Sequence, residues 1–246
     1  LQTRIERSNL FKFVKMKESK PHTQDLLPVL AKVARGSSVL FWGLPITLIV
    51  AIMSSMSNWT DAAFPLGMLL PPVAFGMLWY GLRLFDGFQP QERVWQNSLF
   101  LAKIWGLVNL GLSPFLHWHH RAPDEIYFGT SVWLLALAFV FYLMALNKVL
   151  ARLSAMLPDE TLRIESQLFS KMNRTLLAMI PVGLGLMFLL PLIKNPPVLI
   201  LGILEFILNM RPWLFMAFLL VPLSLSMSLL WKTKESIYSS VFSSGR

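Results

Sequence analysis

The sequence predicts an all-α integral membrane protein, and three observations lead to that fold class. Of the 246 residues, 55% are hydrophobic and only 14% are charged, whereas soluble domains average about 25% charged residues. Six apolar stretches approach or exceed the length that a helix needs to cross a bilayer, about 20 residues. Lysine and arginine concentrate in alternate gaps between these stretches, as membrane topology requires. We therefore expect a six-transmembrane-helix bundle.

The chain divides into three predicted regions. Residues 1–38 form a cytosolic segment in which basic and apolar side chains alternate, notably over residues 9–20. A basic amphipathic segment before a first span is typical of a region that lies on the anionic inner leaflet. Residues 39–231 form the transmembrane domain, and residues 232–246 form a short cytosolic tail.

The six predicted spans are separated by polar loops and one shorter apolar stretch. They cover residues 39–56, 64–82, 99–118, 128–150, 176–193 and 213–231. Between the last two lies the apolar stretch 197–210, which at ~1.5 Å per residue reaches only about 20 Å. Asn209, Arg211 and Pro212 separate it from the final span, so we expect a re-entrant or interfacial half-helix.

The loop before the fifth span carries its own helix signal. Asp159 and Glu160 follow Pro158 directly, and negative charge favours a helix N-terminus. We expect a short cytosolic helix that leads straight into the fifth span.

The distribution of basic residues fixes the predicted orientation. With the N-terminus inside, 19 of the 22 lysines and arginines fall on the inner side and 3 on the outer side. Tryptophans near both predicted boundaries agree with this arrangement. We therefore expect a multi-pass protein of the plasma or inner membrane with both termini cytoplasmic. The net charge of +9 follows from this asymmetry, and we expect no nucleic-acid partner.

Three of the four histidines cluster at the outer end of the third predicted span. His117 and His120 are three residues apart, and Asp124 follows four residues later. Imidazole and carboxylate together suit Zn, Mn or Fe, and His117 could instead ligate a haem or chlorin. The fourth histidine, His22, lies on the opposite predicted side, which disfavours a bis-histidine haem. The alternative interpretation is that these histidines are ordinary polar residues at the membrane boundary.

Polar residues inside apolar stretches form a second group of candidates. Glu205 and Asn209 are four residues apart and share a helix face. An ionisable side chain within the membrane is a functional hypothesis by default, although Glu205 could simply pair with Arg211 or Lys194. Asn109, in the third span, favours a hydrogen bond to a neighbouring helix.

Taken together, these features favour a non-catalytic function. The chain contains no P-loop, GxSxG, HExxH or dinucleotide-binding motif and no cysteine, and it demands no particular cofactor. We expect an accessory or scaffolding subunit of a larger membrane complex, which packs against partner helices, lipids or pigments. Its expected partners are membrane lipids and other membrane protein subunits. Two alternatives stay open, namely a small transporter or channel using Glu205 and Asn209, and a membrane metalloenzyme using His117 and His120.

Overall fold

The regular structure is entirely helical in the part of the chain that the computed structural model describes, residues 23–56, 66–157, 159–189 and 198–243. Seven helices occur there: α1 Thr23–Met56, α2 Leu66–Arg83, α3 Arg93–Leu112, α4 Phe115–Arg121, α5 Ile126–Met156, α6 Glu160–Leu189 and α7 Val198–Ser243. Three described stretches are long and apolar enough to cross a membrane: Pro28–Ser55, Arg93–Arg121 and Ile126–Met156. The predicted all-α class is thus confirmed. The amphipathic stretch at residues 9–20 lies outside the described residues.

The long helices pack in chain order as antiparallel neighbours and close into a ring. Between α1 and α2, the Thr47 hydroxyl donates to the Ala74 carbonyl over 3.1 Å, while Gly36 lies against Gly81. Residue numbers therefore rise along α1 while they fall along the part of α2 that it contacts, so the two helices are antiparallel. The ring closes where α7 returns to α1, with the Phe41 and Trp231 ring centroids 5.5 Å apart.

Helix α5 is the most enclosed helix of the ring. It packs against α3 and α6 and also touches α7. Its fully buried side chains form much of the apolar core, namely Tyr142, Leu143, Leu146, Leu150 and Leu153.

Glycines allow α1 and α2 to approach each other closely. A Cβ atom on Gly36 would lie 2.7 Å from Cε1 of Phe85 and 2.9 Å from the carbonyl oxygen of Gly81. A Cβ atom on Gly81 would lie 2.8 Å from Cγ of Leu40. A larger residue at Gly36 would clash with the backbone of α2, and one at Gly81 would displace the Leu40 side chain. Allowing close approach is the usual role of small residues between membrane helices.

The third predicted span, residues 99–118, is divided by a turn. Helix α3 ends at Leu112 and α4 begins at Phe115. Pro114 has no N–H with which to continue the helix, so the Leu110 carbonyl accepts the Ser113 hydroxyl instead, over 2.7 Å. The sequence does not predict this division.

Helix α6 begins where the sequence predicts and runs without a break into the fifth predicted span. Asp159 caps it: Oδ1 accepts hydrogen bonds from the Thr161 hydroxyl over 2.7 Å and from the Leu162 N–H over 3.1 Å. These two bonds, the hydroxyl first, lower the pKa of Asp159. The helix continues through Pro181 to Leu189.

The predicted break at Asn209–Pro212 is not seen. A single helix runs from Val198 to Ser243, and its 46 residues extend about 69 Å at ~1.5 Å each. Pro212 removes one backbone donor, but a helix in apolar surroundings can tolerate that loss. Stretch 198–210 and the last predicted span thus form one continuous helix.

Candidate functional site: a polar cluster in the bundle core

Three buried polar side chains meet where α5, α6 and α7 pack together. Asn147, Asn173 and Ser226 are each at most 1% exposed. The Asn173 amide Nδ2 donates to Asn147 Oδ1 over 2.8 Å, to the Pro222 carbonyl over 3.0 Å and to Ser226 Oγ over 3.1 Å. One amide therefore joins three helices, and we call these side chains the core cluster.

Further hydrogen bonds fix the other members of the core cluster. Asn147 Nδ2 donates to the Leu143 carbonyl over 2.8 Å and to Ser226 Oγ over 3.0 Å. The Ser226 hydroxyl donates to the Pro222 carbonyl over 2.7 Å. Asn173 Oδ1 has no hydrogen-bond partner among the described residues.

The chemistry of the core cluster is that of neutral hydrogen bonding. It consists of two amides, a hydroxyl and a carbonyl, none of which titrates near neutral pH. Such groups hold helices together at about 0.6 kcal/mol for each interhelical bond, and at most about 1.7 kcal/mol. The cluster can therefore fix the register of α5, α6 and α7, but it supplies no general acid or base.

A second set of contacts continues towards the end of the bundle where α5 ends and α6 begins, here called the α5–α6 end. The Ser154 hydroxyl donates to Ser166, and both side chains are buried. Lys232 on α7 forms an ion pair with Glu165 on α6 and lies 5.9 Å from the centroid of the Phe169 ring. The three helices are thus fastened to one another well beyond the core cluster.

The structure places the three residues of the histidine group in different surroundings. His117 on α4 is fully buried, with its ring centroid 5.8 Å from that of Trp118. His120 is half-buried, and Asp124 is exposed in the turn after the helix. Among the described residues, no group of three or more histidine, aspartate or glutamate side chains is placed to hold a metal ion. The metal and axial-ligand hypotheses stay predictions from the sequence.

Asn109 makes the interhelical contact that the sequence predicts. Its Nδ2 donates to the Trp105 carbonyl on its own helix over 2.8 Å and to the Ala138 carbonyl on α5 over 3.3 Å. Lys103, on the same helix, forms an ion pair with Asp86 in the turn between α2 and α3. The side chains of Glu205 and Asn209, on the first half of α7, lie outside what the structure describes.

An apolar cavity of about 220 Å³ lies between α1, α2, α4, α5 and α7. Its described lining includes Leu116, Phe139 and Leu219 and just two hydroxyls, those of Thr47 and Ser55. Both hydroxyls already donate to backbone carbonyls, of Ala74 and Ile52 respectively. The cavity therefore offers apolar contact and no free donor.

Sequence reasoning missed the core cluster. Asn147 lies inside the fourth predicted span and Ser226 inside the sixth, so each is a polar residue in an apolar stretch, which was the available signal. Their meeting could not be predicted, because 79 positions separate them.

No known protein family matches the chain, and no characterised protein or solved structure shows significant similarity to it.

Proposed function

We propose that this protein is a non-catalytic accessory or scaffolding subunit of a larger membrane assembly. In this proposal the chain crosses the plasma or inner membrane six times with both termini in the cytoplasm. The three candidate membrane-spanning stretches and the uneven distribution of 22 basic residues support that topology. The antiparallel packing of successive helices is compatible with it.

One observation carries the scaffolding role, an exposed apolar stripe on the first half of α6. Ile164, Leu168 and Met172 are 62%, 63% and 44% exposed. Because they are spaced four residues apart, they follow one another along a single face of the helix. They precede the fifth predicted span, residues 176–193, and at ~1.5 Å per residue Ile164 lies about 18 Å before Leu176. We call these three residues the α6 stripe.

The position of the α6 stripe favours a protein partner. The headgroup layer adds only about 5–8 Å on each side of the hydrocarbon core, so lipid would not cover Ile164 or Leu168. A contiguous apolar surface in water is typical of an interaction site. The Asp159 cap and the Glu165–Lys232 ion pair hold this part of α6 in place, which suits a docking surface.

Charge indicates what kind of partner would fit the α6 stripe. Among the exposed cations of this helix segment, Lys171 lies three residues from Leu168 and borders the stripe. Arg163 and Arg174 lie more than about 100° from Leu168 around the helix. A second copy of this segment would bring like charges together, which disfavours self-association. We therefore propose a partner helix whose apolar face is flanked by acidic residues.

The mass of the protein after gentle extraction from its native membrane tests the proposal. We expect the wild type to run in light scattering as an assembly heavier than its 28.1 kDa chain. Leu168→Asp should release a lone chain, because it places a charge in the stripe. The matched control is Ile126→Asp, a change at a side chain that is 84% exposed near the start of α5, and it should leave the assembly intact. A wild type that is a lone chain, or a control that dissociates equally, would contradict the proposal.

A further inference from the structure

Exposed cations from two neighbouring helices lie at one height near the α5–α6 end. The bond between Asn147 and Asn173, 2.8 Å long, fixes the register of the antiparallel helices α5 and α6. Lys148 follows the first asparagine directly, and Arg174 follows the second. The three cations Lys148, Lys171 and Arg174 therefore lie within about one helical turn of the same level, and all three are exposed.

Lys148 and Arg174 also lie on the same side of the contact between α5 and α6. Each is one residue, about 100° of helix rotation, past the asparagine that points into the core. Because the two helices run in opposite directions, these equal rotations lead to the same flank of the pair. The two side chains thus border one exposed groove, and Lys171 lies about 60° further around α6 than Arg174.

These cations have no carboxylate to neutralise them within the described residues. The nearby Glu165 is paired with Lys232 on the other flank of α6, and Glu160 contacts Arg163 over 3.4 Å. Concentrated positive charge without internal partners requires an external anion or solvent.

The predicted topology places the groove at a membrane boundary. Lys148 is close to the end of the fourth predicted span, residues 128–150, and Arg174 is just before the fifth. From the cations towards the middle of the bundle, the same flank carries Met144 and Ala178, both half-exposed. A groove with cations at its rim and apolar groups below matches the structure of a phospholipid.

We propose that Lys148, Lys171 and Arg174 bind the phosphate headgroup of an anionic phospholipid in the cytoplasmic leaflet. The guanidinium of Arg174 provides a two-pronged phosphate contact and the two ammonium groups provide point charges. The acyl chains lie along Met144 and Ala178. Basic pockets between membrane helices on the cytoplasmic side are known to take such lipids. This inference rests on the proposed topology, but it does not depend on the scaffolding role.

Lipid titration of the purified full-length protein, read by native mass spectrometry, tests the site. The probes are phosphatidylglycerol and phosphatidylcholine, added to the protein in mild detergent. The variant is the triple change Lys148→Gln, Lys171→Gln and Arg174→Gln. Its matched control, Arg83→Gln, Arg93→Gln and Arg121→Gln, removes three exposed cations from other helices.

We expect the wild type to retain phosphatidylglycerol in preference to phosphatidylcholine. A contribution of about fivefold from each cation predicts that the triple variant binds phosphatidylglycerol on the order of 100-fold more weakly. The control should bind like the wild type. Equal losses in variant and control, or a wild type that does not distinguish the two lipids, would overturn the site.

The Ile164→Asp variant, which also places a charge in the α6 stripe, separates this inference from the proposed function. Ile164 lies seven residues, about 10 Å, before Lys171, which is farther than the three- or four-residue spacing at which helix side chains pair, so its substitution should leave the lipid preference unchanged. A wild-type protein that runs as a lone chain but still selects phosphatidylglycerol would refute the scaffold and keep the lipid site.

Discussion

Replacing Asn173 tests whether the core cluster holds α5, α6 and α7 together. Leucine has a similar size but no hydrogen-bonding group, so Asn173→Leu removes the donor while nearly filling the space. The Asn173 amide has two hydrogens for three acceptors at 2.8, 3.0 and 3.1 Å, so at most two full bonds form at once. At about 0.6–1.7 kcal/mol for each interhelical bond, the expected loss is about 1–3 kcal/mol.

Unfolding of the purified protein in mixed micelles of mild detergent and SDS measures this loss, with helicity by circular dichroism as the signal. Asn173→Asp should cost more than Asn173→Leu, because it turns an oxygen towards acceptors that need a donor. The matched control is Asn97→Leu, at an exposed asparagine on α3, which should change the free energy of unfolding by less than about 0.5 kcal/mol.

A double-mutant cycle then isolates the contact between Asn147 and Asn173. If the amides interact as the distance indicates, alanine substitutions at the two positions should be non-additive by about 0.6–1.7 kcal/mol. Additive effects, or an Asn173→Leu protein as stable as the wild type, would refute the role assigned to the core cluster.

Three other predictions concern packing, capping and an ion pair. Gly36→Ala should destabilise the bundle by about 1–3 kcal/mol through overpacking. Gly111→Ala should not, because nothing described lies within 4 Å of the added Cβ atom. Unfolding in mixed micelles measures both free energies. Asp159→Ala should lower stability by about 0.5–2 kcal/mol at pH 7. Hydrogen bonds lower the pKa of Asp159, so the wild-type cap contributes fully to stability above pH ~4. This contribution is lost as the pH falls through the lowered pKa. Thermal melts at pH 7 and pH 3 should therefore show a pH dependence in the wild type that Asp159→Asn lacks. Lys103→Gln and Asp86→Asn should each lower the free energy of unfolding by at most about 1 kcal/mol. The double variant should lose no more stability than the worse single variant. A double variant that loses the sum of the two would argue against the ion pair.

Local signals in the sequence predicted the helical class and several element positions. The α6 start at Glu160 could be predicted because Pro158 and Asp159 are adjacent and act on the backbone beside them. The sequence could predict that Asn109 forms an interhelical hydrogen bond, because a buried amide needs a partner. The partner itself, the Ala138 carbonyl, depends on helix register and could not be read from the pattern.

The remaining features depend on contacts between distant segments or on where helices end. His117, His120 and Asp124 share one face only if their helix continues, but α4 ends at Arg121 and leaves Asp124 in an exposed turn. Whether a proline interrupts a helix also depends on its surroundings: the chain turns at Pro114 but continues as helix past Pro212. The sequence alone does not distinguish these two cases.

Cysteine labelling in intact cells tests the proposed topology most directly, because the chain contains no cysteine of its own. Single cysteines at three exposed positions, Gly87, Asp124 and Ser239, report on the α2–α3 turn, the α4–α5 turn and the end of α7. With a membrane-impermeant maleimide, Asp124→Cys should react in intact cells, whereas Gly87→Cys and Ser239→Cys should react only after permeabilisation. Labelling of Gly87→Cys in intact cells, or Gly87→Cys and Ser239→Cys on opposite sides, would contradict a six-span bundle with both termini in the cytoplasm.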